Sequence, residues 1–395
     1  MRRVDVIVVG AGLAGLQCSR LLAGHGLEVL LVDRKPSLDQ SIHTTGIFVR
    51  RSLDDFALPP ACLGPPIRRV TLYSPARRPL SLESPHEEFR IGHMAELYAR
   101  LLKDCQAAGV EWSPSTGYFG CQRVDGGLVV RLDVAGNEQT VRCRFLIGAG
   151  GATSRVARDL ELSVNRHWIV GLEEVFHGAP LSGEPQLHCF LDAKLAPGYV
   201  AWVAQDGQTA HVGVGGYRDR FQPSAALDKF RASLGSLIDL TPATLTERRG
   251  GRIPVGGVLP HLANRHGLLI GDAAGAVSPL TAGGLDPCLR LSELAAKVVY
   301  RYLSTGDASH LDEYDGRTFR RQFVARRALR AVYALAGRNV LLEACCLALR
   351  LPGVKALAQH IFFSRGSFPD VREPDRGKPP RSLGEAKNPQ AVAVD

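Results

Sequence analysis

The feature that most constrains this chain is a strand, a glycine-rich turn, a helix and a second strand, all within residues 4–33. Residues 4–9 are apolar apart from one aspartate, as in a buried parallel strand, and the helix after the turn carries leucines on one side. A second apolar run, residues 28–32, ends at Asp33. This order predicts a Rossmann-like βαβ unit and therefore an α/β fold.

The turn has the glycine spacing of a dinucleotide-binding loop. Gly10 permits the tight turn, Gly12 lets a pyrophosphate approach backbone N–H groups, and Gly15 lets the helix pack against the strand. Asp33, 18 positions after Gly15, is placed to accept hydrogen bonds from both ribose hydroxyls. The helix N-terminus, which we expect to face the diphosphate, begins with Leu13 and Ala14. The strand, helix, strand and acid together favour this prediction over a glycine turn that serves packing alone.

The composition is that of an ordinary folded chain, with 45% hydrophobic and 22% charged residues. Its 395 residues suit two or three closely associated modules. The nine cysteines form no CxxC pair and no secretory leader precedes residue 4, so we expect reduced thiols, no metal site and a cytoplasmic protein. No apolar run reaches the roughly 18 residues that a membrane span requires.

The net charge of +9 is concentrated near the C-terminus. Residues 314–365 contain ten Lys or Arg against two acidic residues, interleaved with apolar residues at roughly helical spacing. This pattern predicts basic amphipathic helices, which fit either an anionic lipid surface or a solvated basic face on a helical cap. Nucleic acid is a poorer partner, because no aromatic stacking surface or nucleic-acid-binding motif accompanies the arginines.

Two later buried strands end in small residues, which indicates a close approach of the backbone to a bound dinucleotide. The first, within residues 145–155, ends at Gly148, Ala149 and Gly150. The second, within residues 267–285, leads into a loop and then a helix for which Asp286 is the expected N-cap. In this second segment we expect cofactor contacts at Gly271, Asp272, Pro279, Ala282, Gly283 and Gly284.

The second segment also indicates which cofactor is bound. Asp272 is placed to hold a polyol hydroxyl of the cofactor. A helix N-terminus after Gly283 and Gly284 would direct N–H groups toward the N1 and C2=O edge of a flavin. Such a segment, about 260 residues after the first glycine turn, favours FAD over NAD.

Four side chains between the two glycine segments are candidates for contact with FAD. Arg34 would reach the adenosine or a phosphate, and Arg90 the flavin or its phosphate; surface charge is the alternative for both. The loop of residues 40–47 follows the second strand, where the chain passes the isoalloxazine in nucleotide-flavin folds, so His43 and Thr44 are placed to touch the reacting ring. We expect His43 to act as a proton donor or flavin contact, against the alternative of a loop histidine without chemistry.

Four β-runs follow one another between residues 168 and 217 without intervening helices, which predicts a second sheet inserted in the first domain. Tyr199 and Trp202 lie in one of these runs and would wall a substrate pocket over the flavin, although core packing would explain either residue alone. An antiparallel excursion is expected over residues 67–82. Three short alternating runs between residues 118 and 141 predict a β-meander.

Three motifs carry a resemblance to a known superfamily: VGAGLAG near the start, IGAGGATSRVAR in the middle and GDAAGAVSPLTAGG late in the chain. Together they resemble the flavoproteins related to para-hydroxybenzoate hydroxylase. Within that superfamily the chain is most similar to the geranylgeranyl reductase family. The closer match rests on the sequences GDAAGAVSPLTAGGL, PGYVAWVAQDGQTAHVGVGG and LDEYDGRTFRRQF.

The resemblance implies a Rossmann-like FAD-binding domain of the glutathione-reductase type, an inserted antiparallel-sheet substrate domain and a C-terminal helical segment. The FAD-binding domain is expected at residues 1–66, 88–163 and 249–305, and the substrate domain at 67–87 and 164–248. Residues 306–366 would form the basic helices and 367–395 a disordered tail.

The resemblance also implies an FAD-dependent oxidoreductase that reduces carbon–carbon double bonds of an apolar, isoprenoid-like substrate by hydride transfer from flavin N5. We expect the proton to come from His43 or a pocket water, with Tyr199 next. NADPH or another external reductant would supply the electrons. The alternatives within the superfamily are a monooxygenase that uses a C4a-hydroperoxyflavin, a non-redox flavin-dependent cyclase, and a flavin-binding protein without catalysis.

Two departures from the family pattern bear on the reaction. Gly150 stands where the middle motif usually has an acid, which weakens the case for an NADPH-coupled hydroxylase. No cysteine occurs in residues 41–44, where family reductases often carry one, so the substrate need not be a geranylgeranyl chain. For an apolar lipid substrate, the basic C-terminal helices would keep the enzyme at the inner face of the cell membrane.

Overall fold

The computed structural model describes residues 1–179, 183–235, 237–335 and 337–363, together with Pro369 and residues 381–382. In these residues the chain forms an eight-stranded sheet, a seven-stranded sheet, two two-stranded pairs and ten α-helices. The expected class, an α/β fold with an inserted antiparallel sheet and C-terminal helices, is confirmed.

The elements follow one another with short connections. The strands are β1 (Arg2–Val9), β2 (Val29–Val32), β3 (Ile47–Val49), β4 (Phe56–Ala57), β5 (Arg69–Tyr73), β6 (Pro79–Glu83), β7 (Phe89–Ile91), β8 (Glu111–Ser113), β9 (Thr116–Val124), β10 (Gly127–Val134), β11 (Asn137–Gly148), β12 (Trp168–His177), β13 (Gln186–Phe190), β14 (Ala201–Gln205), β15 (Thr209–Gly216), β16 (Thr244–Pro254), β17 (Ala263–Asn264), β18 (Gly267–Leu269) and β19 (Arg381–Ser382). The α-helices are α1 (Leu13–Gly24), α2 (Arg50–Asp55), α3 (Met94–Ala107), α4 (Arg155–Asp159), α5 (Pro223–Ala232), α6 (Leu285–Thr305), α7 (Gly316–Arg321), α8 (Val324–Leu335), α9 (Asn339–Ala348) and α10 (Pro352–Phe363). Short 3-10 helices occupy Pro60–Cys62, Gly271–Ala274 and Ala308–Glu313.

The eight-stranded sheet has a parallel centre in the order β18, β11, β1, β2, β8. Strand β2 and the second half of β1 are buried on both faces, which is why the sequence there is continuously apolar rather than alternating. Helix α1 follows β1 directly and packs against α3 and α6. The βαβ unit expected within residues 4–33 is therefore present, with its glycine turn at the carboxyl end of β1.

Strand β11 differs from the expectation drawn from the sequence. We expected a meander that ends at residue 141 and a separate buried strand from residue 145, whereas β11 is continuous over Asn137–Gly148. Its first half pairs antiparallel with β10 and its second half pairs parallel with β1 and β18. The strand does not break because no glycine or proline interrupts residues 137–147. One strand thus carries the middle motif to the edge where β1 ends.

The seven-stranded sheet has the order β16, β12, β15, β14, β13, β5, β6. Its pairs are antiparallel except β5 with β13, which can run parallel because β5 comes from a distant segment of chain. Strand β16 was not expected: it pairs with β12 along its length and crosses the proposed boundary between residues 248 and 249. Helix α5 covers one face of this sheet, where Leu227 and Phe230 are fully buried.

Helix α6 begins at Leu285, two residues before the position expected from an N-cap at Asp286. Gly284 is its N-cap residue, and Asp286 lies inside the first turn. The prediction of Asp286 as the N-cap is wrong, because its carboxylate instead accepts hydrogen bonds from Arg290 Nε (2.9 Å) and Ser52 Oγ (3.1 Å). Arg290 is fully buried and also donates to Asp55 (2.6 Å), so this cluster ties α6 to α2.

The C-terminal helices are fixed to the rest of the molecule by hydrogen bonds. Arg330 of α8 is buried and donates to the carbonyl oxygens of Pro279 (2.9 Å) and Gly198 (3.2 Å). Glu343 of α9 accepts a hydrogen bond from Ser74 Oγ (3.0 Å) beside β5. Helices α8 and α9 therefore rest on both the loop before α6 and the second sheet.

The end of the chain is described only in part. Arg365 and the proposed disordered tail of residues 367–395 lie outside the described residues, apart from Pro369 and β19, which pairs with β4. In the described ranges, no helix combines the length and apolar character needed to cross a membrane.

Replacing Gly15 by alanine will destabilise the protein, because its Cβ would collide with the carbonyl oxygen of Gly10. Gly24 in the same helix offers a matched control, since a Cβ there meets no described atom within 4 Å. We expect Gly15→Ala to lower the free energy of unfolding by about 1–3 kcal/mol and Gly24→Ala to leave it unchanged or slightly raise it. Urea unfolding followed by circular dichroism measures both. Equal stabilities of the two variants would contradict the close approach.

Candidate functional site

A cavity of about 1390 Å³ is lined by both large sheets and by the C-terminal helices. One end lies at the carboxyl ends of β1, β2 and β11, where α/β sheets bind ligands. Residues of β12, β14 and β16 also line it, and α8, α9 and α10 contribute further lining residues. The cavity therefore connects the two predicted halves of the site.

The glycine turn forms the first end of the cavity. Gly10 has a φ of 109°, and a Cβ on it would collide with the carbonyl oxygen of Ala149. Gly12 also lines the cavity, but a Cβ there would meet no described protein atom within 4 Å. Helix α1 begins here without a side-chain cap, so its first N–H groups and positive dipole are left for an anionic ligand. The turn is an open cradle with the shape and charge that a diphosphate requires.

Asp33 is held rigidly beside this cradle. Its Oδ2 accepts a hydrogen bond from the Ala11 N–H (2.7 Å), and its Oδ1 accepts one from the Lys35 N–H (2.9 Å). Each carboxylate oxygen keeps a further lone pair, and the side chain lines the cavity together with Arg34. The geometry fits the expected contact of Asp33 with a ribose.

Asp272 lies at the opposite side of the same end, directly after β18. Burial raises the pKa of its carboxyl group to about 6. A hydroxyl donor from a ligand would offset that desolvation and stabilise the carboxylate. Gly283 and Gly284, at the N-terminus of α6, also line the cavity. The late motif therefore faces the cradle of the first motif, as a single extended dinucleotide would require.

Most of the residues predicted to bind the cofactor line the cavity. They are Gly10, Gly12, Leu13, Ala14, Asp33, Arg34, Thr44, Ala149, Gly150, Gly271, Asp272, Ala282, Gly283 and Gly284. Gly15, Arg90, Gly148 and Pro279 are not among the lining residues. Gly15 and Gly148 act through packing, since a Cβ on Gly148 would lie 2.7 Å from Leu269 Cδ2. Arg90 lies in β7, which pairs with β3, and Pro279 offers its carbonyl to Arg330.

His43 and Thr44 line the cavity in the loop after β2. His43 Nδ1 lies 2.9 Å from the carbonyl oxygen of Gly250, and because a carbonyl only accepts, Nδ1 carries the proton. Burial and the neighbouring positive charge of Lys35 lower the pKa of His43. At neutral pH His43 is therefore a neutral imidazole whose Nε2 is an acceptor.

Tyr199 and Trp202 line the middle of the cavity. Their rings meet edge to face with centroids 6.3 Å apart. Two glycines of the neighbouring strand β15 make room for them: a Cβ on Gly213 would collide with the Trp202 ring, and one on Gly215 would lie 2.6 Å from Tyr199 Cδ1. Tyr199 Oη donates to the carbonyl oxygen of Thr281 (2.8 Å), which ties this wall to the loop before α6.

Glu173 lines the cavity beside Trp202 and was not among the residues predicted from the sequence. Its Oε2 accepts hydrogen bonds from Trp202 Nε1 (2.8 Å) and from the Thr45 hydroxyl, and its Oε1 lies 3.1 Å from His211 Nδ1. Burial acts to raise the pKa of Glu173, but His211 and these hydrogen bonds outweigh burial and lower it. The sequence did contain a signal for Glu173, namely two adjacent glutamates inside an apolar strand. Because successive side chains of a strand point to opposite faces, one of Glu173 and Glu174 had to lie on each face of the sheet.

The far end of the cavity is apolar. Its lining side chains from β5, β13 and the C-terminal helices are Leu72, Leu187, Leu329, Val332, Leu342, Leu349, Ala358, Ile361, Phe362 and Phe363. Each methylene group of a ligand buried there would contribute about 0.8 kcal/mol. The site therefore joins a polar dinucleotide cradle to a compartment that suits a hydrocarbon chain.

Comparison with known proteins gives a consistent picture. The chain matches the family model described as FAD binding domain over residues 3–331. It is 25% identical over 330 residues to digeranylgeranylglycerophospholipid reductase 2 of Methanosphaera stadtmanae, which covers 80% of this chain and 82% of the relative. It is 29% identical over 325 residues to digeranylgeranylglycerophospholipid reductase 1 of Methanopyrus kandleri, which covers 79% of this chain and 85% of the relative.

Solved structures share the fold. A geranylgeranyl bacteriochlorophyll reductase-like protein from Thermoplasma acidophilum superimposes with a TM-score of 0.77 at 20% identity, covering 87% of this chain and 91% of that protein. The myxobacterial chondrochloren halogenase CndH superimposes with a TM-score of 0.66 at 18% identity, covering 93% and 94%. The second likeness shows that the same scaffold also serves oxidative flavin chemistry, so the fold alone does not decide the reaction.

Gly12→Ser will weaken FAD binding without weakening the fold. The added Cβ and Oγ would fill cavity space where the cradle is open, whereas serine is at least as good an N-cap residue as glycine. We expect the Kd for FAD to rise about 10-fold, equivalent to about 1.4 kcal/mol, with the unfolding free energy of the apoprotein unchanged. Titration of apoprotein with FAD, followed by flavin fluorescence, measures the effect, and Gly24→Ser is the control outside the cavity. Wild-type affinity in Gly12→Ser would place the diphosphate elsewhere.

Proposed function

The chain belongs to the FAD-binding-domain family of flavoproteins and is an FAD-dependent oxidoreductase of the geranylgeranyl reductase group. On this premise we propose that it reduces carbon–carbon double bonds of an apolar, isoprenoid-like lipid. The observation that carries the proposal is the continuity of one cavity from the dinucleotide cradle to an apolar compartment. The names of the curated relatives, which are reductases of digeranylgeranylglycerophospholipid, support the same substrate class.

The residues around the cradle fit FAD. The open space at Gly12 would receive the diphosphate, Asp33 would bind the ribose and Asp272 would bind the polyol chain. The uncapped N-terminus of α6 would favour negative charge on the reduced ring. When bound and reduced by NADPH or another external donor, FAD supplies hydride from N5.

We further propose roles for the three side chains predicted to act at the ring. Tyr199 and Trp202 form a rigid aromatic wall that holds the substrate double bond against the cofactor, because Gly213 and Gly215 leave their rings a fixed place. His43, with Nδ1–H engaged by Gly250, offers Nε2 to a water or to the cofactor edge. These contacts orient the reactants, which is a large part of the barrier reduction in such reactions.

Anaerobic reoxidation tests this function directly. The holoprotein is photoreduced without oxygen and mixed with an unsaturated polyprenyl lipid or with its saturated counterpart bearing the same headgroup, while the flavin absorbance is recorded. We expect the oxidised spectrum to return with the unsaturated lipid alone. A reduced flavin that persists with either lipid, and is consumed by oxygen with transfer of an oxygen atom to the lipid, would contradict the proposal and favour a monooxygenase.

We propose that the C-terminal helices also place the protein on the anionic cytoplasmic face of a membrane. Val332 of α8 is 63% exposed and Val340 of α9 is 80% exposed, and exposed arginines occur in the same C-terminal segment, Arg321 at the end of α7 and Arg327 in α8. Helices that expose both apolar and basic side chains are suited to a lipid interface. Helices α8 and α9 line the apolar end of the cavity, so this contact would deliver a lipid substrate to its entrance.

Vesicle binding tests this second proposal. The double variant Arg321→Glu/Arg327→Glu should lose affinity for vesicles that contain phosphatidylserine, because each basic residue near such a surface contributes about 1 kcal/mol. We expect a loss of about 10-fold or more in cosedimentation, against no change for Arg123→Glu/Arg131→Glu on the meander, which alters net charge equally. Similar losses in both double variants would show a general charge effect, and no loss in either would exclude the helices as the lipid-binding surface.

A further inference from the structure

The proposed reduction needs one proton for every hydride, and two expected proton sources have their protons engaged elsewhere. His43 Nδ1–H points to the carbonyl oxygen of Gly250 (2.9 Å), and Tyr199 Oη donates to the carbonyl oxygen of Thr281 (2.8 Å). A different set of ionisable groups reaches the same cavity through Glu173. An inference drawn from this set rests on the proposed function.

The set is organised around His211, whose side chain is 1% exposed. His211 Nδ1 lies 3.1 Å from Glu173 Oε1, and its Nε2 lies 3.2 Å from Asp206 Oδ2. A neutral imidazole has one N–H group and can donate to one carboxylate only, whereas an imidazolium donates to both. The geometry therefore favours a protonated His211 that bridges two carboxylates.

The sheet register explains how these groups come together. Glu173 of β12 and Trp202 of β14 both pair with Gly213 of β15, and His211 lies two residues from Gly213 on the same face. Because Gly213 has no side chain, the Trp202 ring extends over it and donates Nε1–H to Glu173. The same glycine thus opens the space for the aromatic wall and for the carboxylate behind it.

The other charged and titratable groups around His211 are also accounted for. Arg249 Nη1 of β16 lies 3.8 Å from Glu173 Oε1, and Arg249 Nε donates to Glu247 (2.7 Å). At the other end, Asp206 Oδ2 accepts the Thr209 hydroxyl (2.8 Å) and lies 3.7 Å from His93 Nδ1. His211 therefore lies between two buried carboxylates, Glu173 and Asp206, and these negative charges make the charged form of His211 tolerable in the interior.

The hydrogen-bonded groups around His211 lead from the cavity toward the protein surface. Glu173, Thr45 and Trp202 line the cavity, whereas His211 and Asp206 do not. On the far side, the His93 side chain is 13% exposed and lies beside Asp206. A row of hydrogen-bonding groups therefore runs from the cavity wall through His211 toward the protein surface near His93.

We propose that Glu173 delivers the substrate proton in the reduction, and that His211, positioned between Glu173 and Asp206, stores that proton between turnovers. The π bond breaks as one of its carbons takes the proton, which passes from His211 Nδ1 through the Glu173 carboxylate, and the other carbon takes the hydride that reduced FAD would supply when bound. The hydride carries both electrons of the reduction, and His211 ends neutral. A neutral His211 donates a hydrogen bond to only one of its two carboxylates, so the other carboxylate loses its bond from the imidazole and favours the return of a proton from solvent before the next turnover.

The charges around His211 support its role as the residue that stores the proton. Burial acts to lower the pKa of His211, but the charges of Glu173 and Asp206 outweigh burial and raise it to about 9. The imidazolium is thus the populated form at and below neutral pH, and it is lost as the pH rises through about 9. Reduction should therefore proceed at a constant rate up to that pH and slow above it.

Three variants test the relay. Glu173→Gln keeps an acceptor for Trp202 but cannot carry a proton, and His211→Asn removes the store. Glu174→Gln is the matched control: Glu174 is the adjacent residue, equally buried at 3% exposure, but it faces α5 and pairs with Arg231 (2.9 Å). Flavin content and urea unfolding of each holoprotein confirm that the fold is kept.

The measurement is the rate at which an unsaturated polyprenyl lipid reoxidises the photoreduced holoprotein, from pH 6 to 10, with NMR of isotope-labelled histidine as a second readout. We expect Glu173→Gln and His211→Asn to slow reoxidation by about 100-fold or more, the usual worth of a positioned proton donor. Glu174→Gln should match the wild type, whose rate should fall above a pH of about 9. NMR should show one imidazole protonated on both nitrogens at pH 7, with its pKa lowered in Glu173→Gln.

The outcomes separate the two proposals. If the lipid does not reoxidise the wild-type protein, the reductase function and the relay that serves it both fail. If the wild type is active and Glu173→Gln retains its rate, the relay alone is overturned. Slow variants combined with a His211 that is neutral at pH 7 would assign these residues a structural role and overturn the proton store.

Discussion

Helix α1 lies so close to the end of β1 that Gly15 contacts the carbonyl oxygen of Gly10, and the rest of the site depends on this contact. It fixes the position of the helix N-terminus, and the turn between strand and helix holds Ala11 where its N–H binds Asp33 (2.7 Å). The diphosphate cradle and the ribose acceptor are thus parts of one rigid unit. A positive dipole aimed into an open space is then available without any cationic side chain.

In the second sheet, too, glycines allow a close approach, here of aromatic rings to a strand. Gly213 and Gly215 leave the surface of β15 bare, so the rings of Trp202 and Tyr199 lie across it. The Trp202 indole in turn directs its N–H to Glu173, which joins the aromatic wall to a buried ion network. Arg330 completes the enclosure, because its bonds to Pro279 and Gly198 hold α8 over the junction of the two sheets. The cavity exists because Gly213 and Gly215 of β15 carry no side chains and because Arg330 holds α8 in place beside them.

The sequence predicted the parts of the site whose signals are local. The glycine turn, Asp33 and the late Gly271 to Gly284 segment each lie within one short stretch, and residues of each line the cavity. The prediction of Asp286 as the N-cap was wrong because its carboxylate has a competing partner, Arg290, which comes from the next turn of the same helix and is fixed by Asp55 of α2. Glu173 and His211 were missed because their meaning depends on the register of three strands. From the sequence, Arg330 was interpreted only as part of the basic segment. Its role in holding α8 could not be predicted, because its carbonyl partners lie more than fifty residues away in the chain.

The most direct test of this account is the mass of the lipid formed when photoreduced holoprotein, without oxygen, is given an unsaturated polyprenyl lipid in ordinary and in heavy water. The account predicts a product that has gained two hydrogen atoms for each flavin oxidised, with deuterium from heavy water in the new C–H bonds. A product of unchanged mass, or one that has gained an oxygen atom only when air is admitted, would contradict the account at its centre.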